Sequence, residues 1–284
     1  MDNPEQPLWV FRMTGGLAAR LTPLSLILFV VSFALYALLA RRTLDVAQIP
    51  YLPTILTPFA VLFVHEGLHG AGFLVFGGRP KFGAGIKGGA PYLFAMCPGK
   101  RFSGGRFLVI GALPLVIIDG AALALAGYSP LVVPALLAFA FNTAGAVGDL
   151  WMIAVILQTP RSAQFEDTDE QAMIAWPGPG TIRPAKLPHG LNPHGFESVV
   201  VWVSIGAVMF VACFLVVGIA EVLLARASPN GILSVGSVVL VSVTTAGAHN
   251  SLRANLSVQT VLAVVLAAPL TWAAGRRARR ARRR

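Results

Sequence analysis

The chain has 284 residues, of which 56% are hydrophobic and only 12% are charged. Its mean hydropathy is +0.73, and several apolar stretches reach the roughly 20 residues that cross a bilayer as a helix. This composition excludes an ordinary soluble domain and predicts an all-α, multi-pass integral membrane protein. The two cysteines, Cys97 and Cys213, form no CxxC pair, so they predict neither a disulfide framework nor a thiolate zinc site.

The net charge of +10 is concentrated at the C-terminal end, where residues 276–284 contain seven arginines. This basic tail directly follows an apolar segment. Clusters of this kind usually mark the cytoplasmic side of a membrane and contact anionic lipid. The tail therefore predicts topology and a lipid contact, and we expect no nucleic-acid partner.

Residues 1–52 form an N-terminal region with a first membrane anchor helix at about 22–40, which Arg41 and Arg42 follow. The apolar run is longer than the 7–15-residue core that is typical of a signal peptide. It is therefore interpreted as an uncleaved anchor.

Residues 53–157 are predicted to form a membrane core that carries the chemistry. Its first helix, at about 53–76, contains the sequence His-Glu-x-x-His, with His65, Glu66 and His69. Residues i and i+4 share one face of a helix, so the two histidines can hold one metal ion. Glu66 lies about 100° further round the helix, where a carboxylate can act as general base on a water that zinc activates. The motif predicts one zinc ion per chain.

A glycine-rich stretch, 77–106, follows this helix and holds nine glycines and six basic residues. Residues 81–87 and 91–96 are predicted to form a small β-hairpin that turns at Gly88 and Gly89.

Two further helices complete the predicted core, at about 107–126, interrupted by Pro114, and at about 131–157. A polar loop, 158–197, is expected in the cytoplasm and contains an acidic group of residues: Glu166, Asp167, Asp169 and Glu170. The C-terminal membrane helices, 198–275, include apolar segments near 199–225, 231–249 and 256–274. The total is about six spans, or seven if every segment crosses the membrane.

A catalytic zinc usually takes three protein ligands, so a third ligand is needed. Asp149 is favoured because Asn142 lies two helical turns before it and faces the same way. The glycines Gly145 and Gly148 are expected to let this helix approach a neighbour closely. Asn142 is assigned to positioning a ligand or the substrate, and Asp119 is the alternative third ligand.

Other candidates for the third ligand are weaker. Glu221 lies near a helix end, where it is expected to extend to the membrane interface, and His249 lies at the end of an apolar segment. His189 and His194 are interpreted as ordinary loop histidines.

The HExxH helix, the glycine-rich hairpin and the helix with Asn142 and Asp149 together resemble the site-2 protease clan of intramembrane zinc peptidases. The pattern is most similar to a compact bacterial branch of zincin-like membrane peptidases and covers about residues 53–175. The better-known site-2 proteases carry Asn-x-x-Pro and then Asp-Gly, and this chain lacks that proline and that glycine.

The resemblance implies that His65, His69 and Asp149 bind zinc, and that Glu66 is the general base. It implies hydrolysis of peptide bonds in membrane proteins or peptides at the bacterial cell membrane. The alternative is a metal-binding membrane protein without peptidase activity, either a silent scaffold or a metal transporter. A site of two histidines and one carboxylate also accepts iron.

Overall fold

The computed structural model describes residues 6–12, 15–40, 43–45, 50–87, 90–126, 128, 131–168, 172–182, 188, 197–227, 231–235, 238–246 and 249–282. The described part is mostly helical. Its α-helices are α1 (Gly15–Ala40), α2 (Tyr51–Val75), α3 (Gly104–Pro114), α4 (Gly120–Leu125), α5 (Val132–Gly145), α6 (Val147–Leu157), α7 (Glu197–Ala227) and α8 (Leu256–Arg282). A single π-helical turn, Leu115–Asp119, joins α3 to α4.

The strands are short and lie between the helices. They are β1 (Trp9–Arg12), β2 (Thr43–Asp45), β3 (Lys81–Lys87), β4 (Ala90–Met96), β5 (Arg101–Ser103), β6 (Gln164–Asp167), β7 (Ala172–Trp176), β8 (Ile232–Val235), β9 (Val238–Ala246) and β10 (His249–Asn255).

Several helices suit a membrane environment. By length and composition, the described residues contain three helices able to cross a bilayer, at Leu21–Leu39, Tyr51–Val75 and Gly104–Leu125. The pair α5 and α6 adds a fourth span if the two helices, bent by 46° at their junction, are taken together. Large apolar side chains of α2 lie exposed, with Phe59 at 61% and Phe63 at 66%. Such a surface is costly in water and suits lipid, so the structure is consistent with a membrane protein.

The C-terminal part departs from the expected run of helices. The apolar segment near 231–249 forms strands β8 and β9, which pair with each other, and β9 pairs in turn with β10. This segment is rich in valine, serine and threonine, which favour extended structure over a helix. A total of seven spans would require a membrane helix in this segment, and the structure has strands there instead.

The predicted polar loop also contains regular structure. Strands β6 and β7 belong to a four-stranded antiparallel sheet in the order β1-β7-β6-β5. The N-terminal strand β1 therefore pairs with a segment about 160 residues further along the chain, with Trp9 opposite Ala175. Trp9 and Phe11 alternate with exposed residues along β1 and are both buried, as expected when one face of a sheet covers a core.

The main hydrophobic core lies between this sheet and the ends of α2, α3 and α6. Its central side chains are Trp9, Phe73, Phe102, Phe107, Ile110, Val155 and Phe165. Helix α2 ends in this core because Gly77 has φ +74°, and the N–H groups of Gly77 and Gly78 donate to the carbonyls of Leu74 and Phe73. This pair of bonds is a Schellman cap, which needs a left-handed residue that glycine supplies.

The hairpin expected after the HExxH helix is present. Strands β3 and β4 pair antiparallel from Lys81 opposite Met96 to Lys87 opposite Ala90, while Gly88 and Gly89 lie outside the described residues. A Cβ atom on Gly70 would clash with the ring of Phe82. The hairpin therefore lies against α2 one residue after His69, and a larger residue at position 70 would displace the ring of Phe82.

Candidate metal centre

Three side chains converge at the centre of the helical core. His65 and His69 project from one face of α2, and Asp149 projects from the first turn of α6. His65 Nε2 lies 3.0 Å from Asp149 Oδ2 and 3.2 Å from His69 Nε2, and His69 Nε2 lies 3.4 Å from Asp149 Oδ2. Among the described residues these three form the one group of histidine, cysteine or acidic side chains with the spacing of a metal site.

The triangle has the dimensions that a tetrahedral zinc site requires. Zinc binds histidine nitrogen and carboxylate oxygen at about 2.0–2.2 Å. Two ligand atoms at that distance in a tetrahedron are about 3.3–3.6 Å apart. The observed distances of 3.0, 3.2 and 3.4 Å are close to this value and in part slightly shorter, so the three ligand atoms surround one point and would need to move apart only slightly to hold an ion. A zinc ion held by three protein ligands would keep a fourth position for water or substrate.

The opposite nitrogen of each histidine fixes which atoms face that point. His65 Nδ1 lies 2.8 Å from Asn142 Oδ1, and His69 Nδ1 lies 2.9 Å from the carbonyl oxygen of Ile110. Both partners are acceptors, so each Nδ1 carries a hydrogen, and in a neutral imidazole each Nε2 then keeps a lone pair. In this neutral form two such nitrogens and a carboxylate oxygen converge with no hydrogen between them. Three lone pairs in this arrangement repel one another unless a cation lies among them, so the site fits zinc.

The orientation of the Asn142 amide supports this assignment. Its Nδ2 donates to Asp119 Oδ1 at 2.7 Å and to the carbonyl of Pro114 at 3.2 Å. Because both of these partners accept hydrogen bonds, the amide oxygen must face His65. Asn142 is 1% exposed, and its role is to orient a ligand.

Asp119 lies behind Asn142 and away from the three converging atoms. Its two carboxylate oxygens accept hydrogen bonds from Asn142 Nδ2 and from Thr143 Oγ1. The structure therefore brings Asp149 to the two histidines and brings Asp119 to the residue that orients one of them. Such outer hydrogen bonds commonly hold metal-binding histidines in place.

Of the remaining sequence candidates, those within the described residues do not join the cluster. Glu221 is 5% exposed on α7, and its carboxylate oxygens have no hydrogen-bond partner among the described residues. His249 lies in strand β10, and His189 and His194 lie outside the described residues. Gly145 has no atom within 4 Å of where a Cβ would lie, so close packing does not explain that glycine.

Pro114 has a structural role that its sequence position alone did not reveal. Proline has no N–H, so the carbonyl of the residue four positions earlier in a helix, here Ile110, has no helical donor. That carbonyl accepts the Nδ1 hydrogen of His69 instead. The π-helical turn that follows coincides with a second bond, in which the carbonyl of Pro114 accepts from Asn142. The break in this helix thus supplies two backbone acceptors, one for His69 and one for Asn142.

Helices α5 and α6 meet at a second break, which separates Asn142 from Asp149. The sequence predicted one continuous helix across this region, whereas the chain bends at Ala146. Asn142 and Asp149 still reach the same imidazole, one at each nitrogen of His65. The bend also places Asp149 in the first turn of α6, where exposed N–H groups favour a negative charge.

Glu66 lies beside the cluster without joining it. Its Oε2 accepts a hydrogen bond of 2.8 Å from the backbone N–H of Ala95 in β4. That bond engages one carboxylate oxygen and leaves the other for proton transfer. The glycine-rich hairpin thus orients the proposed general base, a contact that the sequence did not indicate.

A cavity of about 200 Å³ opens beside Glu66, His69 and Asp149. Most of its wall is apolar, and it is formed by Phe73, Phe94, Ala95, Phe107, Ile110, Gly111, Met152, Ile153, Ile156 and Met173. Asp167, at the end of β6, also lines it. The sequence showed Asp167 only as a member of an acidic group in a polar loop, and the pairing of β6 with β7 is what carries it to the cavity.

Burial raises the pKa of the Asp167 carboxyl to about 7, although a hydrogen bond from the N–H of Thr168 and the proximity of His69 act in the opposite direction. The nearby carboxylate of Glu66 raises it further. Asp167 thus keeps its proton in the folded, metal-free chain to a much higher pH than a carboxyl in water does.

Comparison with known families agrees with the geometry. A sequence model of a family described as "Putative zincin peptidase" matches residues 58–164, which include His65, Glu66, His69 and Asp149. No curated protein and no solved structure matches the chain. The family match and the cluster of two histidines and one aspartate fit a zinc peptidase.

Replacing Pro114 with alanine tests the role of its missing N–H. Pro114→Ala introduces an N–H that competes with His69 for the carbonyl of Ile110, so we expect zinc affinity to fall about 10–100-fold. The measurement is a zinc competition titration of detergent-purified protein. Alanine favours a helix more than proline does, but Pro114 is fully buried, so Tm is measured on the same samples to separate a loss of stability from a loss of zinc affinity.

Pro269 supplies a control for the removal of a proline from a helix, because it lies exposed inside helix α8. Pro269→Ala should leave zinc affinity unchanged. Equal zinc affinity in the Pro114 variant and the wild type would contradict the role assigned to the freed carbonyl.

The pKa of Asp167 predicts a pH-dependent stability in metal-free protein. The folded-state pKa of about 7 lies above the unfolded value of about 3.9. The contribution of this carboxyl to stability is therefore fully present below about pH 4 and is lost as the pH rises to about 7. Asp167→Asn should leave Tm nearly unchanged at about pH 4 and raise it at about pH 8.

The neighbouring Glu166 is the control for this measurement, because it accepts hydrogen bonds from Trp176 Nε1 and the N–H of Gly99. Glu166→Gln should give no increase in Tm at high pH. A Tm difference between wild type and Asp167→Asn that is the same at both pH values would contradict the burial of a carboxyl at Asp167.

Proposed function

We propose that this protein is a membrane-embedded zinc endopeptidase, which hydrolyses peptide bonds of membrane proteins within or near the bilayer. The observation that carries the proposal is the convergence of the two histidine nitrogens and the Asp149 oxygen beside a carboxylate that is not a ligand, Glu66. This arrangement is typical of hydrolytic zinc sites, which keep one position open. The family match supports the same chemistry.

The position of the site on apolar helices supports a reaction in or near the membrane. His65, Glu66 and His69 lie within the candidate span Tyr51–Val75, and Asp149 lies within the bent pair of α5 and α6. A bacterial cytoplasmic membrane is the proposed location, with several spans and with anionic lipid at the basic tail. Ionisable groups at membrane depth are costly and usually functional.

The residues of the chain divide the work of hydrolysis. Zinc supplies Lewis-acid activation of the water and of the scissile carbonyl when it is bound. Glu66 accepts the proton of the attacking water and delivers it to the leaving amine. The N–H of Ala95 holds one oxygen of Glu66 in place, and Asn142 and the carbonyl of Ile110 hold the two imidazoles.

The substrate must reach this site as an extended strand, because the peptide groups of a helix are bonded internally. Among the described residues, β3 and β4 pair only with each other, and β4 lies next to Glu66. We therefore include in the proposal that the substrate adds to the edge of β4 by β-strand pairing.

Metal content tests the ligand set. Wild-type protein purified in detergent should contain about one zinc per chain, and Asp149→Ala should lose it, because removal of one of three ligands opens the site. Elemental mass spectrometry gives the metal-to-protein ratio. Glu221→Gln, which removes a buried carboxylate on α7 outside the cluster, should keep the zinc. Full zinc in Asp149→Ala would contradict the assignment of the third ligand.

Glu66→Gln separates catalysis from metal binding. The variant should retain zinc, because Glu66 is not a ligand, and should cleave membrane-protein substrates about 10²–10⁴-fold more slowly. The assay follows proteolysis in proteoliposomes by mass spectrometry, with zinc measured on the same samples. Cleavage at the wild-type rate would exclude Glu66 as the base. Zinc transport without any cleavage by the wild type would favour the transporter alternative.

A further inference from the structure

The cavity beside the metal centre combines an apolar wall with a carboxylate outside the proposed catalytic set. Side chains from α2, α3, α6, β4 and β7 form the wall, among them Phe73, Phe94, Phe107 and Met173, and Asp167 completes it. None of the steps described above uses Asp167. A pocket with a mostly apolar wall and one carboxylate beyond those of the metal site suits a ligand group with an aliphatic body and a positively charged end.

The direction of Asp167 follows from its place in strand β6. Alternate residues of a strand face opposite sides, so Asp167 shares a side with Phe165, which is 1% exposed in the main core. Glu166 faces the other side, where it contacts Trp176 and Arg101. The carboxylate of Asp167 is thus directed towards the interior by the strand itself.

Asp167 has no lysine or arginine to balance it within the described residues, since none of them forms an ion pair with it. The groups that act on its carboxylate are the N–H of Thr168, the imidazole of His69 and the carboxylate of Glu66. The two negative charges of Asp149 and Glu66 would by themselves balance the charge of a divalent metal ion. Asp167 then gives the cavity an excess negative charge, and a buried charge of this kind is costly until a partner pairs with it.

We propose that Asp167 is a specificity residue, which recognises a positively charged nitrogen of the substrate close to the scissile bond. This nitrogen belongs to a lysine or arginine side chain or to a free amino terminus, and the aliphatic part of the same residue lies against the apolar wall. The inference rests on the proposed function, because it assumes that substrate occupies this cavity.

Three zinc-binding hydroxamates with the same four-carbon side chain and different charged nitrogens test the assignment. They are the hydroxamates of Nα-acetyl-lysine, with a side-chain ammonium, of norleucine, with a free amino terminus, and of Nα-acetyl-norleucine, with neither. Binding to zinc-loaded protein in detergent is measured by calorimetry at about pH 7, below the usual pKa of an α-amino group. At least one charged probe should bind about tenfold or more tightly than the uncharged probe. Which of the two does so identifies the source of the nitrogen.

Two variants on neighbouring positions of β6 complete the test. Asp167→Asn should abolish the preference for the charged probe, while it leaves zinc content and binding of the uncharged probe unchanged. Glu166→Gln, which removes a carboxylate from the opposite side of the strand, should keep the preference. Peptide-library cleavage should show the same change, with the loss confined to basic residues or free amino termini beside the cleaved bond.

The outcomes separate this inference from the proposed function. If no hydroxamate binds zinc-loaded wild type, the open metal site itself is contradicted, and the specificity role with it. If all three probes bind equally, only the role of Asp167 is overturned. If Asp167→Asn weakens binding of every probe to the same extent, Asp167 is a general structural element of the site, and the inference is overturned as well.

Discussion

The structure depends on one electrostatic constraint, the meeting of three lone pairs at the centre of an apolar helical core. Two imidazole nitrogens and a carboxylate oxygen lie within 3.4 Å of one another, and with both imidazoles neutral no hydrogen separates them. In a low-dielectric interior such an arrangement is unfavourable without a cation. Two hydrogen bonds hold this arrangement in place. Asn142 and the carbonyl of Ile110 each accept the Nδ1 hydrogen of one histidine, so that its Nε2 faces the other two atoms.

Breaks in the helices, and not the helices themselves, supply these hydrogen bonds. Pro114 leaves the carbonyl of Ile110 free for His69, and the bend at Ala146 allows Asn142 and Asp149 to meet His65 from its two sides. In a membrane, backbone groups released by a helix break must find partners inside the protein. Here the carbonyls of Ile110 and Pro114 accept hydrogen bonds from His69 and Asn142. The same break that frees these backbone groups therefore also orients the metal site.

The sequence allowed prediction of the parts of the site that local spacing determines. The i, i+4 spacing of His65 and His69 placed both on one helix face, and the glycine-rich hairpin was recognisable from its alternating residues. Contacts across the chain could not be predicted. Nothing local links Trp9 to Ala175, Ala95 to Glu66 or Pro114 to Asn142, because each of these depends on tertiary packing. The segment near 231–249 could not be assigned with certainty to a span, because apolarity alone does not separate a membrane helix from strands rich in valine and threonine.

Asp167 illustrates how a sheet outside the helices changes the chemistry available at the metal. Without the sheet, the described wall of the cavity would consist largely of apolar side chains from the helices, such as Phe107 and Ile153. Such a wall would accept any large apolar residue of a substrate. The pairing of β6 with β7 adds the carboxylate of Asp167 to this wall, which favours a positively charged group on the substrate. Since β1 extends the same sheet by pairing with β7, the N-terminal strand helps to hold in place the sheet that carries Asp167, although none of the described side chains of β1 lines the cavity.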